Sequence, residues 1–202
     1  MDAVRVSALQ ERLAGTGWLE LVGHFAGALH RSVSRRRADG LLLVGTEAYE
    51  PWHLAAHLDD EAAWSDVPRL APTLLRHRPP AGAPAHLAHD LRRLTEARRG
   101  ATVLVVAPQA AGAPLLERVQ DARRGGATVL ALDGGAEAGG PGDLGGLAHE
   151  RLAVGTGDEV PFDLAQHLVC AAAGQPPARR SALGRLAELA ARLTAEPGIR
   201  RW

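Results

Sequence analysis

Lysine is absent from this chain of 202 residues; all 23 basic residues are arginine. A Schiff-base lysine and a P-loop lysine are therefore excluded. There is one cysteine, Cys170. No internal disulfide and no multi-cysteine zinc site can form. Cys170 stands in an apolar helical run, so it reads as a buried, inert thiol. Excess charge is also missing, since 23 acidic residues balance the 23 basic ones. That speaks against a broad surface for nucleic acid or for an anionic membrane. No apolar run approaches the roughly 18 residues of a membrane span. The opening MDAVRVSALQERL lacks the basic start and apolar core of a signal peptide. A cytoplasmic protein with no membrane partner is expected. No GxGxxG follows a strand, so no nucleotide cofactor is expected.

What is present is an alternation of helix and strand. From Ser7 to about Arg36 the apolar residues Leu9, Leu13, Trp18, Leu21, Val22, Phe25, Leu29 and Val33 form a helical stripe. Gly15 and Gly17 weaken it and can break it in two. Arg35, Arg36 and Arg37 end it, with Gly40 beyond. Leu41 to Val44 is a short apolar run suited to a strand buried on both faces. Gly45 opens a loop, Pro51 suits the first position of a helix, and Trp52 to Trp64 continues it. Pro72 to Arg76 reads as a second short strand. Ala85 to Arg98 reads as an amphipathic helix with Leu87, Leu91 and Leu94 on one face.

Ala101 to Ala107, ATVLVVA, carries the strongest strand signal. The loop PQAAGAP follows, then a helix from Leu115 to Arg124 and a strand in ATVLALD. Strand, helix and strand at this spacing make a βαβ unit, which implies a parallel sheet with a right-handed connection. Gly134 to Gly146 reads as a surface loop. A short strand in ERLAV and a helix from Pro161 to Ala173 come next. The linker GQPPARR leads to a last helix, Ser181 to Thr194.

Two features suggest chemistry without further comparison. His53 and His57 are four apart on a helix, hence on one face, and could reach one ion. The loop before them follows a strand, where parallel sheets bind ligands. Thr46, Tyr49 and Gln109 line that expected mouth and could hold a neutral polyol. His86 and His89 read as an exposed helix face.

The order of segments resembles the sugar isomerase (SIS) domain, and within it most closely the phosphoheptose isomerases. A long helix precedes GLLLVG. ATVLVVAP, a helix and RRGGATVLALD look like the central strand, helix and strand of that domain. DLGGLAHERLAV looks like the segment leading into its fifth strand. The resemblance implies a three-layer αβα sandwich on a parallel sheet of about five strands. It implies one domain over 1–202, with a helical segment at 1–38, a core at 40–175 and a C-terminal helix at 179–196.

The resemblance also implies site residues. Phosphoheptose isomerases carry AQHFAAEL where this chain has WHLAAHLD, so His53 matches a metal-binding histidine and His57 replaces a glutamate. Their later Gln and His, eight apart, correspond here to Glu159 and His167. The implied ligand set is His53, His57, Glu159 and His167, all of types that suit zinc. Glu47, Glu50 and Asp60 are the candidate catalytic bases. Gly45, Thr46, Tyr49, Gln109 and Gly112 are the candidate ligand-binding residues.

The loops depart from the family. GTEAYE replaces a GGS-type loop, and PQAAGAP lacks the hydroxyls of SGxS. Glu47 and Glu50 are expected to repel phosphate, which weakens or alters binding of a phosphosugar. Three functions follow. The first is a noncatalytic or regulatory SIS-type module that binds a sugar derivative or small polar ligand. The second is a metal-dependent sugar-phosphate isomerase. The third is an interaction protein that uses the N-terminal helix and Trp18 as an interface. A homodimer or homotetramer is expected in each.

Overall fold

The computed structural model describes Leu13 and residues 16–84, 87–135 and 143–174. Its elements run α1 (Trp18–Val33), β1 (Leu41–Gly45), α2 (Trp52–Trp64), a 3-10 turn (Pro68–Leu70), β2 (Pro72–Leu75), α3 (Arg92–Glu96), β3 (Thr102–Ala107), α4 (Ala113–Arg124), β4 (Thr128–Asp133), α5 (Leu144–Leu147), β5 (Glu150–Ala153) and α6 (Phe162–Ala173). The five strands form one parallel sheet in the order β2-β1-β3-β4-β5.

Alternation along the strands sorts the core into two layers. Leu41, Leu43, Leu104, Val106, Leu130, Leu132 and Leu152 point to one face, where Phe25, Leu29, Leu54, Leu58 and Val169 of α1, α2 and α6 cover them. Val103, Val105, Ala107, Val129 and Ala131 point to the other, under Leu94, Leu115, Val119 and Leu144 of α3, α4 and α5. Successive side chains of a strand face opposite ways, so a leucine-rich set and a valine–alanine set separate without any long-range instruction. All six residues of β3 are buried, which is why ATVLVVA reads as a continuous apolar run. The result is the expected three-layer α/β sandwich.

Local chemistry sets the element ends. Gly17 has φ +75°, a conformation that side chains resist, and α1 starts directly after it. The expected break in the N-terminal stripe thus falls at Gly17. Trp18 is buried in the chain's own core and does not present the surface that an interface role requires. His30 ties α1 to the end of α6, because its Nδ1 lies 2.8 Å from the carbonyl of Ala173. A carbonyl only accepts, so Nδ1 carries the proton.

Two helices differ from expectation. Of the helix expected over 85–98, residues 85 and 86, and with them the expectation on His86, lie outside the described residues, and among 87–98 the α-helix is only the single turn of α3. Arg76 N–H donates to the His89 carbonyl at 2.9 Å, and Arg76 bridges Asp90 in parallel, so this stretch extends the edge of β2. The Asp90 carboxylate then accepts the Arg92 N–H at 2.9 Å and lets the helix begin only there. Near the end of the glycine-rich 134–146 loop, Asp143 caps α5 by accepting the Gly146 N–H at 2.8 Å. The expected helix Ser181–Thr194 and the residues before Leu13 lie outside the described residues. No helix among those described is long and apolar enough to cross a membrane.

Candidate functional site

In a parallel sheet of order 2-1-3-4-5, the chain turns in opposite directions after β1 and β3, and ligands collect at the carboxyl ends of the strands there. The β1 loop occupies this place. It is a tight turn, in which Tyr49 N–H donates to the Thr46 carbonyl at 3.2 Å. A side chain at Gly45 would meet the carbonyl of Tyr49 and the ring of Pro51, so only glycine lets the loop fold back on the strand. The Thr46 hydroxyl is buried by this turn with no hydrogen-bond partner among the described residues.

Tyr49 joins the loop to α6. Its hydroxyl donates to Gln166 Oε1 at 3.1 Å, and Gln166 Nε2 donates to Asp163 Oδ1 at 3.2 Å. The Tyr49 ring meets Phe162 edge-on at 6.3 Å. Burial, helped by nearby Asp163, holds the Tyr49 phenol above its usual pKa against the opposing effect of the Gln166 bond. The phenol therefore stays neutral and keeps its proton as a donor.

Between α2 and α6 lies a cleft of about 330 Å³. Three imidazoles meet in it. The ring of His57 lies 4.6 Å from that of His167 and 5.7 Å from that of His53, while His53 and His167 are 6.5 Å apart. Trp52, largely exposed, stacks on His53 at 4.2 Å. Desolvation lowers the His167 pKa, and the two neighbouring histidines lower it further against Asp163. His167 is thus neutral at neutral pH and can offer a lone pair. Cys170 closes the back of the cleft, where burial pushes its thiol pKa far up and leaves it unreactive.

The structure brings together some expected residues and separates others. His53, His57 and His167 converge. Glu159 lies exposed in the loop before α6 and does not line the cleft; Asp163, one turn before His167, stands there instead. Of the candidate bases, Glu50 lines the cleft, ion-paired to Arg76 at 2.8 Å. Glu47 pairs with Arg78 in a neighbouring cleft, and Asp60 is exposed on α2 away from both. Gly45, Thr46 and Tyr49 line that neighbouring cleft. Gln109 lines a third, at the ends of β3 and β4, beside Asp133 and Arg151. Gly112 caps α4.

Sequence reasoning missed Asp163, Gln166 and the bidentate Arg151–Asp133 pair at 2.6 and 2.8 Å. The signal for Asp163 was its spacing of four from His167. Asp133 ends its strand, as functional acids of such sheets do, but its partner lay in a strand whose pairing the sequence does not show.

The three imidazoles suit zinc by donor type, and they line one cleft. Yet His53 and His57 lie within 9° of parallel, so their lone pairs run in nearly parallel planes and one ring must turn to share an ion. Among the described residues no group of three or more His, Cys, Asp or Glu side chains is placed to hold a metal ion.

The fold and loops define the class, a doubly wound α/β domain with its clefts at the carboxyl edge of a parallel sheet. No family model matches the chain, and no curated protein matches it. Among solved structures it is similar to a candidate sugar-binding protein from Salmonella typhimurium LT2, at a TM-score of 0.50 and 14% identity. The likeness covers 87% of this chain and 54% of that one, so the chain spans about half that protein's length. At this identity the likeness concerns the fold.

Proposed function

We propose that the chain is an SIS-type module that binds a small, polar, sugar-like ligand in the cleft between α2 and α6, without turning it over. The observation that carries this reading is the lining of that cleft. His53, His167, Tyr49, Gln166 and Asp163 present donors and acceptors around a concave surface, and the exposed face of Trp52 stands at its rim. A few placed polar groups beside an apolar surface are what a small-ligand site needs. The fold shared with a candidate sugar-binding protein supports the ligand class.

The case against catalysis is local. Glu50 is the one carboxylate of the three candidate bases in the cleft, and Arg76 holds it. A base needs to reach the proton it removes. A thermal-shift screen with neutral sugars and phosphosugars, followed by product analysis, tests the proposal. Stabilisation by a sugar without product supports it; binding followed by isomerised product overturns it.

A second reading, a metal-dependent sugar-phosphate isomerase, is favoured by the convergence of the three imidazoles. His53, His57 and His167 would hold zinc, with Asp163 as the nearby carboxylate. A bound metal supplies polarisation of a substrate carbonyl. The protein's own residues would orient the substrate through Tyr49 and Gln166 and move a proton at Glu50 once it leaves Arg76. Elemental analysis of the purified protein decides: stoichiometric metal lost from a His57→Ala variant favours this reading, and a metal-free protein indifferent to chelator removes it.

A further inference from the structure

We propose that the outer face of the last two turns of α2 is the docking surface of the chain's own C-terminal segment, residues 175–202. Leucines of that segment meet Trp64, and its arginines meet Asp59 and Asp60. These three residues of α2 lie outside the histidine cleft, so the proposal does not rest on the sugar-binding reading.

Trp64 is 75% exposed, more than any other large apolar side chain among the described residues. It stands four residues after Asp60, and Ala63 stands four after Asp59; all four are exposed. Residues four apart share a helix face, so an apolar patch and two carboxylates form one surface. Among the described residues no arginine pairs with Asp59 or Asp60. The charge that would complement them lies elsewhere in the chain. From Leu41 to Pro68 there are six acidic residues and no arginine, whereas residues 175–202 hold six arginines and two glutamates.

The point of exit brings the two together. The described chain ends at Gly174, where a side chain would run into the Glu61 carboxylate. Glu61 precedes Trp64 by three residues, so the segment leaves the body one helical turn from the tryptophan. Residues 175–180 lead to Ser181 and extend to about 20 Å at most, while the last two turns of α2 are only about 10 Å long. In the helix that the sequence expects over Ser181–Thr194, Leu186, Leu189 and Leu193 fall on one stripe, and Arg185 and Arg192, seven apart, flank it. Stripe and flank match the surface in kind. The leucines suit Trp64 and Ala63, and the guanidiniums suit the carboxylates and the face of the indole. The tether makes the contact intramolecular, which favours the chain's own segment over that of a second copy.

The test is NMR of the full chain carrying a nitroxide. Cys170 is buried and its thiol unreactive, so Ala191→Cys, on the side of the expected helix away from the leucines, takes the label alone. The Trp64 indole N–H signal should be broadened away and should return when the nitroxide is reduced. It should stay sharp when isotope-labelled chain without the nitroxide is mixed with nitroxide-bearing chain, since the contact lies within one molecule. Asp59→Asn/Asp60→Asn should lower the ratio of docked to free segment about twofold to tenfold, and added salt should act in the same direction. Leu186→Asp should abolish the broadening. The indole signal of buried Trp18 reports whether each variant is folded, and the asparagine pair, at exposed positions, carries the test if Leu186→Asp fails that check. A Trp64 signal left sharp by the nitroxide overturns the proposal, as does broadening that neither variant diminishes. Broadening in the mixed sample gives the face to a second copy and overturns it too. Sugar binding is read from the histidines, so either result leaves the other intact.

Discussion

His167 lies where α6 faces α2, and its neighbours there oppose a positive charge. Burial comes first among the causes that lower its pKa, and His57 and His53 add to it. Replacing His57 by alanine removes a repulsive neighbour and opens the ring to water. Histidine NMR titration should show His167 below the ordinary imidazole range in the parent chain and closer to it in His57→Ala. The sign for stability follows. The unfolded chain takes up this proton near its ordinary value, about 6.5, while the folded ring takes it up only at lower pH. The contribution of His167 is therefore complete above that value and declines as pH falls below it. Denaturant midpoints measured across this window should fall towards acid, and less so in His57→Ala.

Tyr49 can be tested at the same scale. Tyr49→Phe keeps the ring contact with Phe162 but leaves buried Gln166 without its donor. Chemical denaturation should show a loss of about 1 kcal/mol. The histidines of the site were legible in the sequence because their type is rare and their helix spacing simple. The carboxylate was not. Counting eight residues back from His167 leads to Glu159, but Pro161 starts the helix after it, so Glu159 stays in the loop and Asp163 takes the place facing the imidazoles. Glu47 and Glu50 read as bare acids because Arg76 and Arg78 lie about thirty residues away in the chain.

Among the elements, β1 and its loop place everything else. Gly45 has no room for a side chain against the backbone carbonyl of Tyr49. Gly45→Ala should cost about 1–3 kcal/mol, measured by urea unfolding, because a backbone carbonyl cannot step aside as a flexible side chain can. The same variant should weaken any ligand whose binding depends on Tyr49. Strands β1, β3 and β4 were readable from composition alone, since burial on both faces demands unbroken apolar runs. Helix α3 was not. Its leucines have helical spacing, but pairing beside β2 claims His89 and Asp90 first, and a long-range strand contact of this kind leaves no local mark. Trp18 misled for a similar reason, because an aromatic residue on an amphipathic stripe can face the core or a partner, and here it faces the core.

At the scale of the molecule, the leucine-rich face of the sheet carries α1, α2 and α6, and this packing is what sets His53 and His57 of α2 opposite His167 of α6. A site built from two helices that meet only through tertiary packing cannot be read from either helix. The strand order turns the β1 loop towards both clefts at once, so Glu50 borders the histidine cleft on one side and pairs with Arg76 on the other. The central claim is that the histidine cleft holds a small, polar, sugar-like ligand. The most direct measurement is NMR of the histidine side chains during titration with a panel of neutral sugars and phosphosugars. The account predicts that at least one sugar shifts His53, His57 and His167 together, saturably, with Tyr49→Phe weakening the response by about fivefold. If sugars bind without moving these three histidines, or no sugar moves them at all, the claim is contradicted.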